Sequence, residues 1–335
     1  MIKQAIAQLI AGDHLDRATA HSVMEQIMSG GATDAQIGGF LVALRAKGET
    51  VEEIAGFAEV MREKATVITA AEPLVDTCGT GGDGSGTFNI STTVAFVAAG
   101  AGCTVAKHGN RAMSSKCGSA DVLAELGVNV EASPERVGQC LESAGIGFLF
   151  APALHGAMKH AIGPRKELGT RTVFNVLGPL TNPAGAKRQL IGVFTPDLTE
   201  TMAGVLGTLG SERAFVVHGS DGLDEITLTG PSRVSELVNG KVRTYEIAPG
   251  DFGIDQAPAA ALQGGDAKEN AGILRQVLDG AAGPCTDVVV LNAAAAITAG
   301  GLAEDLAGGV ELARTALSSG KARQALDRLV EVSNG

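Results

Sequence analysis

Six short apolar runs, at residues 74–75, 104–106, 147–150, 190–194, 214–217 and 288–291, alternate with stretches of helical character. Strands that alternate with helices predict a mainly parallel sheet covered on both faces. Such sheets take ligands past the carboxyl ends of their strands. Three polar clusters follow these runs: a glycine loop at 79–86, Lys107-His108-Gly109-Asn110-Arg111, and His218-Gly219-Ser220-Asp221. The first 66 residues carry no strand signal and read as four short helices. Ala20, Val23, Met24 and Ile27 share one helical face, and Gly30-Gly31 stops it. Thr33 with Gln36, and Thr50 with Glu53, form capping-box patterns. The apolar stripes that follow suit packing within the chain and a dimer interface equally. With 335 residues, two domains are expected. They are a small N-terminal helical domain, 1–69, and a larger α/β domain, 70–335, with a mainly parallel central sheet flanked by helices. Having no Trp and one Tyr, the chain must build its core from Ala, Val, Leu and Ile. Residues 240–272 predict a hairpin and an exposed connection.

The stretch 76–92 reads DTCGTGGDGSGTFNIST, with five glycines between 79 and 86. Glycine turns through positive φ and lets the backbone come close to a ligand. Successive N–H groups then face one concavity that holds an anion. A helix beginning near residues 89–93 adds its own unpaired N–H groups. The predicted ligand is a phosphate or pyrophosphate. Residues 79–84 formally satisfy G-x-G-x-x-G, but the next strand ends in Lys107-His108 where a dinucleotide site wants an acid. A Walker loop fails too, because Thr87-Phe88 follows Gly86.

Lys107, His108 and Arg111 place three potential cations within five residues, with Asn110 among them. Ser114, Ser115, Lys116 and Ser119 then precede a helix expected at 120–126. This is a second anion site, and two cradles suit a ligand with phosphate at both ends. Asp224-Glu225 is either an ordinary surface pair or a set of hard oxygen donors for Mg²⁺. Ser91 offers a hydroxyl from the opposite side. His155, Arg165 and Arg171 fall in one polar stretch, where an Arg suits a carboxylate or a structural ion pair.

A net charge of −11 disfavours nucleic acid or an anionic membrane as the main partner. Five scattered Cys without a CxxC pair predict reduced thiols and a cytoplasmic setting. The N-terminal ten residues do not read as a signal peptide, and no apolar run approaches the ~20 residues of a membrane span.

Residues 79–83 (GTGGD), 89–92 (NIST), 107–111 (KHGNR) and 119–121 (SAD), with 165–180 and Asp224-Glu225, together resemble the anthranilate phosphoribosyltransferase family. The likeness runs through nearly the whole chain, including 269–271 and 291–296. It implies the nucleoside-phosphorylase-like fold and a homodimer formed through the helical domain. Part of 160–185 is expected to join the N-terminal helices. The implied reaction transfers the phosphoribosyl group of phosphoribosyl pyrophosphate (PRPP) to the amine of anthranilate, in tryptophan synthesis. By the resemblance, PRPP is held by Gly79, Gly82, Asp83, Thr87, Asn89, Ile90, Ser91, Thr92, Lys107, His108, Gly109, Asn110, Arg111, Ala112, Met113, Ser114, Ser115 and Ser119. Anthranilate meets Gly79, Asn110 and Arg165, with His108 and His155 lining its route. Ser91, Asp224 and Glu225 bind two Mg²⁺ per subunit. No residue is assigned as an essential acid or base. Residues 107–111 and Arg165 favour the transferase over a pyrimidine nucleoside phosphorylase of the same fold.

Overall fold

The computed structural model describes residues 1–112 and 116–335. Four helices come first: α1 (Ile2–Ile10), α2 (Arg17–Met28), α3 (Asp34–Lys47) and α4 (Val51–Lys64). Both expected capping boxes form, Thr33 with Gln36 at α3 and Thr50 with Glu53 at α4. Glu53 is wholly buried and does more than cap. Its carboxylate also accepts the Leu15 N–H at 2.9 Å and lies 2.7 Å from the Lys47 ammonium. A buried charge needs such partners, so this ion pair fixes the end of α3 against α4. The helix Lys159–Leu168 packs on α2 and α3.

The sheet has seven strands: β1 (Leu74–Gly79), β2 (Thr104–Gly109), β3 (Ile146–Phe150), β4 (Arg188–Gly192), β5 (Arg213–Gly219), β6 (Ser232–Val238) and β7 (Lys241–Ile247). Their order is β3-β2-β1-β4-β5-β6-β7. The first five run parallel, and β6–β7 closes one edge as an antiparallel hairpin. Asn239 and Gly240, at φ 50° and 74°, make its tight turn. The hairpin thus lies earlier than the 240–272 region expected to hold it. From β1 the chain builds outward to β3, then crosses back to place β4 on the other side of β1. The topological switch point falls between β1 and β4, where Gly79 pairs with Gly192.

Residues 288–291 are not a strand. They belong to the helix Pro284–Ala299, buried from 288 to 299. A helix that is apolar all round has no 3.6-residue stripe to distinguish it from a buried strand. It packs beside α5 (Ile90–Ala101). One core lies on this side of the sheet. A second runs from α1–α4 through the helix Asp197–Thr208 to Ile191, Val193, Ala214 and Val216. The helical unit is therefore packed onto the sheet, not tethered beside it. No described helix is long and apolar enough to cross a membrane.

Candidate active site

The loop after β1 follows from its glycines. Gly81, Gly82, Gly84 and Gly86 all lie at positive φ, between 65° and 76°, which other residues rarely adopt. Asp83 braces the turn by accepting the Ser85 N–H at 3.1 Å and its hydroxyl at 2.6 Å. The far end is stitched to the segment 262–264. Phe88 N–H donates to the Leu262 carbonyl at 3.1 Å, and Gly264 N–H donates to the Gly86 carbonyl at 2.9 Å. Thr87 sits in this stitch, bridged to Gln263. Then α5 begins at Ile90, itself buried in the core, without a side-chain cap. The Asn89 amide is spent on scaffolding: it donates to the Cys117 carbonyl at 3.3 Å and accepts from Asn270 at 2.9 Å. The buried Thr92 hydroxyl makes no hydrogen bond among the described residues.

The acidic pair comes from the turn after β5, yet it meets this loop. Asp224 Oδ2 accepts the Gly81 N–H at 2.8 Å. The approach is close enough to require glycine on both neighbouring strands. A Cβ on Gly79 would sit 2.6 Å from Asp224 Oδ2, and one on Gly192 would overlap the Asp224 carbonyl oxygen. Asn292, from the buried helix, grips the same turn. Its side chain accepts the Ile226 N–H and donates to the Ile226 carbonyl, both at 2.9 Å. Burial, and then the charge of Asp83, raise the Asp224 carboxyl to about 7. Burial and the neighbouring Asp224 push Glu225 well above the ordinary range.

Lys107 faces the acids from β2. Its ammonium donates to the Thr77 carbonyl at 2.5 Å and to the Ser91 hydroxyl at 3.4 Å. Burial lowers its pKa, while Asp76, Cys78 and Glu225 pull it back up. Ser91 is also directed at Glu225 through its amide. Among the described residues no group of three or more His, Cys, Asp or Glu is arranged to hold a metal. Two carboxylates and a hydroxyl are hard donors that fit Mg²⁺ when water and phosphate complete its shell.

The other half of the cleft is neutral or cationic. His108 and His155 are buried, with their Nε2 atoms 3.2 Å apart. Burial lowers His108 to about 3 and His155 to about 4. One neutral imidazole donates to the other through this Nε2–Nε2 contact. Below them Asp76 accepts the main-chain N–H of His108 at 3.1 Å and the Asn182 side-chain amide at 2.8 Å. Arg165 lies over the Phe174 ring at 5.1 Å. Burial alone lowers its pKa, and no carboxylate among the described residues pairs with it.

Of the three cations expected in 107–111, none is a free surface charge. Lys107 is buried against the acids and His108 is neutral. Arg111 is paired with Asp121 and Glu131 at 3.3 Å and lies over Phe150. Asp121 closes this second loop by accepting the Ala112 and Gly118 N–H groups, both at 2.9 Å. Asn110 exchanges bonds with Ser119, and a Cβ on Gly109 would collide with the Ser119 hydroxyl. Met113, Ser114 and Ser115 lie outside the described residues. The sequence reading missed Asp76, Asn182 and Asn292. The last of these had a signal: it is the first polar residue after an apolar run.

Similarity searches agree with this geometry. The helical bundle domain of a glycosyl transferase family matches residues 3–65, and the a/b domain of the glycosyl transferase family matches residues 71–323. Anthranilate phosphoribosyltransferase from Moorella thermoacetica is 57% identical over 331 residues, covering 98% of each chain. That of Geobacter sulfurreducens is 55% identical over 349 residues, covering 100% of each. The chain belongs to the anthranilate phosphoribosyltransferase family. Solved structures extend the likeness to three dimensions. The enzyme from Thermus thermophilus superposes with a TM-score of 0.93 at 46% identity, covering 99% of both chains. The Saccharomyces cerevisiae enzyme in complex with PRPP and Mg gives 0.90 at 28% identity, covering 99% of this chain and 98% of that one. The helical domain and mainly parallel sheet expected of the family are the architecture of this member.

Proposed function

We propose that the cleft at the carboxyl ends of β1, β2 and β4 performs the reaction of its family, transfer of the phosphoribosyl group of PRPP to anthranilate with release of pyrophosphate. The product enters tryptophan synthesis. The observation that supports this most is the Gly81 N–H bond to Asp224, which brings the acidic pair onto the glycine turn.

PRPP is held by Gly79, Gly82, Asp83, Thr87, Asn89, Ile90, Ser91, Thr92, Lys107, residues 108–115 and Ser119. Main-chain amides and the start of α5 face its diphosphate. Ser91, Asp224 and Glu225 hold two Mg²⁺, whose charge would offset the negative charge gathering on the departing pyrophosphate. Lys107 adds a fixed positive charge to the same place. Arg165 takes the anthranilate carboxylate, an anion its guanidinium does not find among the described residues. Asn110 and Gly79 orient the ring, and the neutral His108–His155 pair lines the approach. The amine nitrogen bonds to C1′ as the C1′–oxygen bond breaks, and the bonding pair leaves with pyrophosphate. Positive charge builds on the ribose meanwhile, as in other glycosidic cleavages. The new ammonium is acidic enough to lose its proton to water, so no side chain is needed as a base. Positioning and electrostatics carry the rate.

The same reading divides the chain into a helical domain, 1–69 with part of 160–185, and a catalytic domain, 70–335. It pairs two copies through the helical domain in the cytoplasm. Loss of anthranilate fluorescence tests the reaction directly. With PRPP and Mg²⁺ both present the signal should fall, and it should stay constant when either is omitted. Loss that persists without PRPP would sink the assignment.

A further inference from the structure

Arg171 touches the glycine loop at Gly82, and no role above requires it. Its guanidinium donates to the Gly82 carbonyl and lies 4.1 Å over the Phe194 ring. Its own carbonyl accepts the Arg45 guanidinium, from α3, at 2.7 Å. Phe194 is fixed in turn, for its N–H donates to the Thr80 hydroxyl at 3.2 Å. Arg171 forms no ion pair among the described residues. A chain of contacts therefore runs from the helical unit through Arg171 to the loop.

Peptide geometry says what this contact does. In a planar trans peptide the carbonyl and the following N–H point in opposite directions. Holding the Gly82 carbonyl toward Arg171 thus turns the Asp83 N–H away from it. Glycines at 81, 82 and 84 make rotation of these peptide planes cheap. One flipped carbonyl in an anion cradle would replace a donor with a repelling oxygen.

We infer that Arg171 is a positioning residue for PRPP: it locks the Gly82–Asp83 peptide plane in the diphosphate-binding orientation and, through Arg45, makes that lock depend on the docked helical unit. This rests on reading residues 79–86 as the diphosphate loop. The test is calorimetric titration of PRPP with Mg²⁺ present, steady-state kinetics, and amide exchange over the loop.

For Arg171→Ala, PRPP affinity should fall about ten- to hundredfold, the loss of a charge-assisted hydrogen bond. The KM for anthranilate should stay within about twofold, and loop amides should exchange faster. Arg171→Lys, which keeps the charge and one donor, should recover part of the affinity. Arg45→Ala leaves the Arg171 side chain in place and should weaken PRPP in the same direction by a smaller factor. Should wild type bind PRPP and Arg171→Ala bind it equally well, the lock is refuted. Should Arg45→Ala bind like wild type, the link to the helical unit is refuted. If wild type takes up no PRPP, it is the loop assignment that falls. If Arg171→Ala fails to fold, the Lys variant decides: unchanged loop exchange and PRPP affinity overturn the lock.

Discussion

The two halves of the cleft carry electrostatic deficits of opposite sign. On the diphosphate side, Asp83, Asp224 and Glu225 crowd together against a single buried ammonium, Lys107. On the acceptor side, two imidazoles are kept neutral and the Arg165 guanidinium faces no carboxylate among the described residues. Neither half is at ease alone, because like charges and unpaired buried charges both cost stability. Each is relieved by the ligand proposed for it, metal-bound diphosphate in one case and a carboxylate in the other. The lesson is that stability has been given up at both places for binding, in ways that separate experiments can detect.

Removing the acids should give the largest effect and a double signature. In Asp224→Asn/Glu225→Gln the shape remains and the charge goes. Turnover should fall by about two or more orders of magnitude, since the metal-held charge is lost. Stability without metal should rise at the same time. The sign follows from the raised carboxyls. In the folded chain Asp224 keeps its proton to about 7, against about 3.9 when unfolded. Wild type therefore loses stability as pH climbs through that window, and the amide variant does not. Urea unfolding at pH 5 and pH 8 measures the gap, which should widen at pH 8. Unchanged turnover in this variant breaks the metal assignment.

Arg165→Ala sharpens the comparison from the other half. It should raise the KM for anthranilate about ten- to hundredfold, as the loss of a charge-assisted bond implies, and leave that for PRPP near its starting value. Equal shifts in both constants would show that the halves are not separate sites.

How legible each half was follows from its chemistry. The diphosphate loop is a local device, so its glycines, the start of α5 and the strand before it could all be read from 74–92. The helical unit was readable for the same reason, through capping boxes at Thr33 and Thr50 and apolar stripes of the right period. What sequence could not show was convergence across distance. Nothing local says that Asp224 meets Gly81, that Gly192 is small to admit Asp224, or that Arg171 reaches Gly82. The strand expected at 288–291 failed because a wholly buried helix erases its own period. The charges of 107–111 could be counted but not placed: only packing reveals that Lys107 is buried and that Arg111 is already matched by Asp121 and Glu131.

The smallest effect on activity should come from the imidazole pair; its effect is on stability, with a sign opposite to that of the acids. His108 and His155 accept protons in the folded chain only near pH 3 and pH 4, while unfolded histidines do so near 6.5. Between about pH 6.5 and pH 4 the unfolded chain binds more protons, so stability must fall as pH falls through that range. Each imidazole contributes up to about 1.4 kcal/mol per pH unit there. His155→Gln keeps a hydrogen-bonding amide beside His108 and removes one titrating group. Its unfolding free energy, followed by urea titration from pH 7 to pH 4, should decline less steeply than that of wild type. Parallel declines would mean that His155 charges in place, and the acceptor half would then be a polar pocket open to water instead of a dry one.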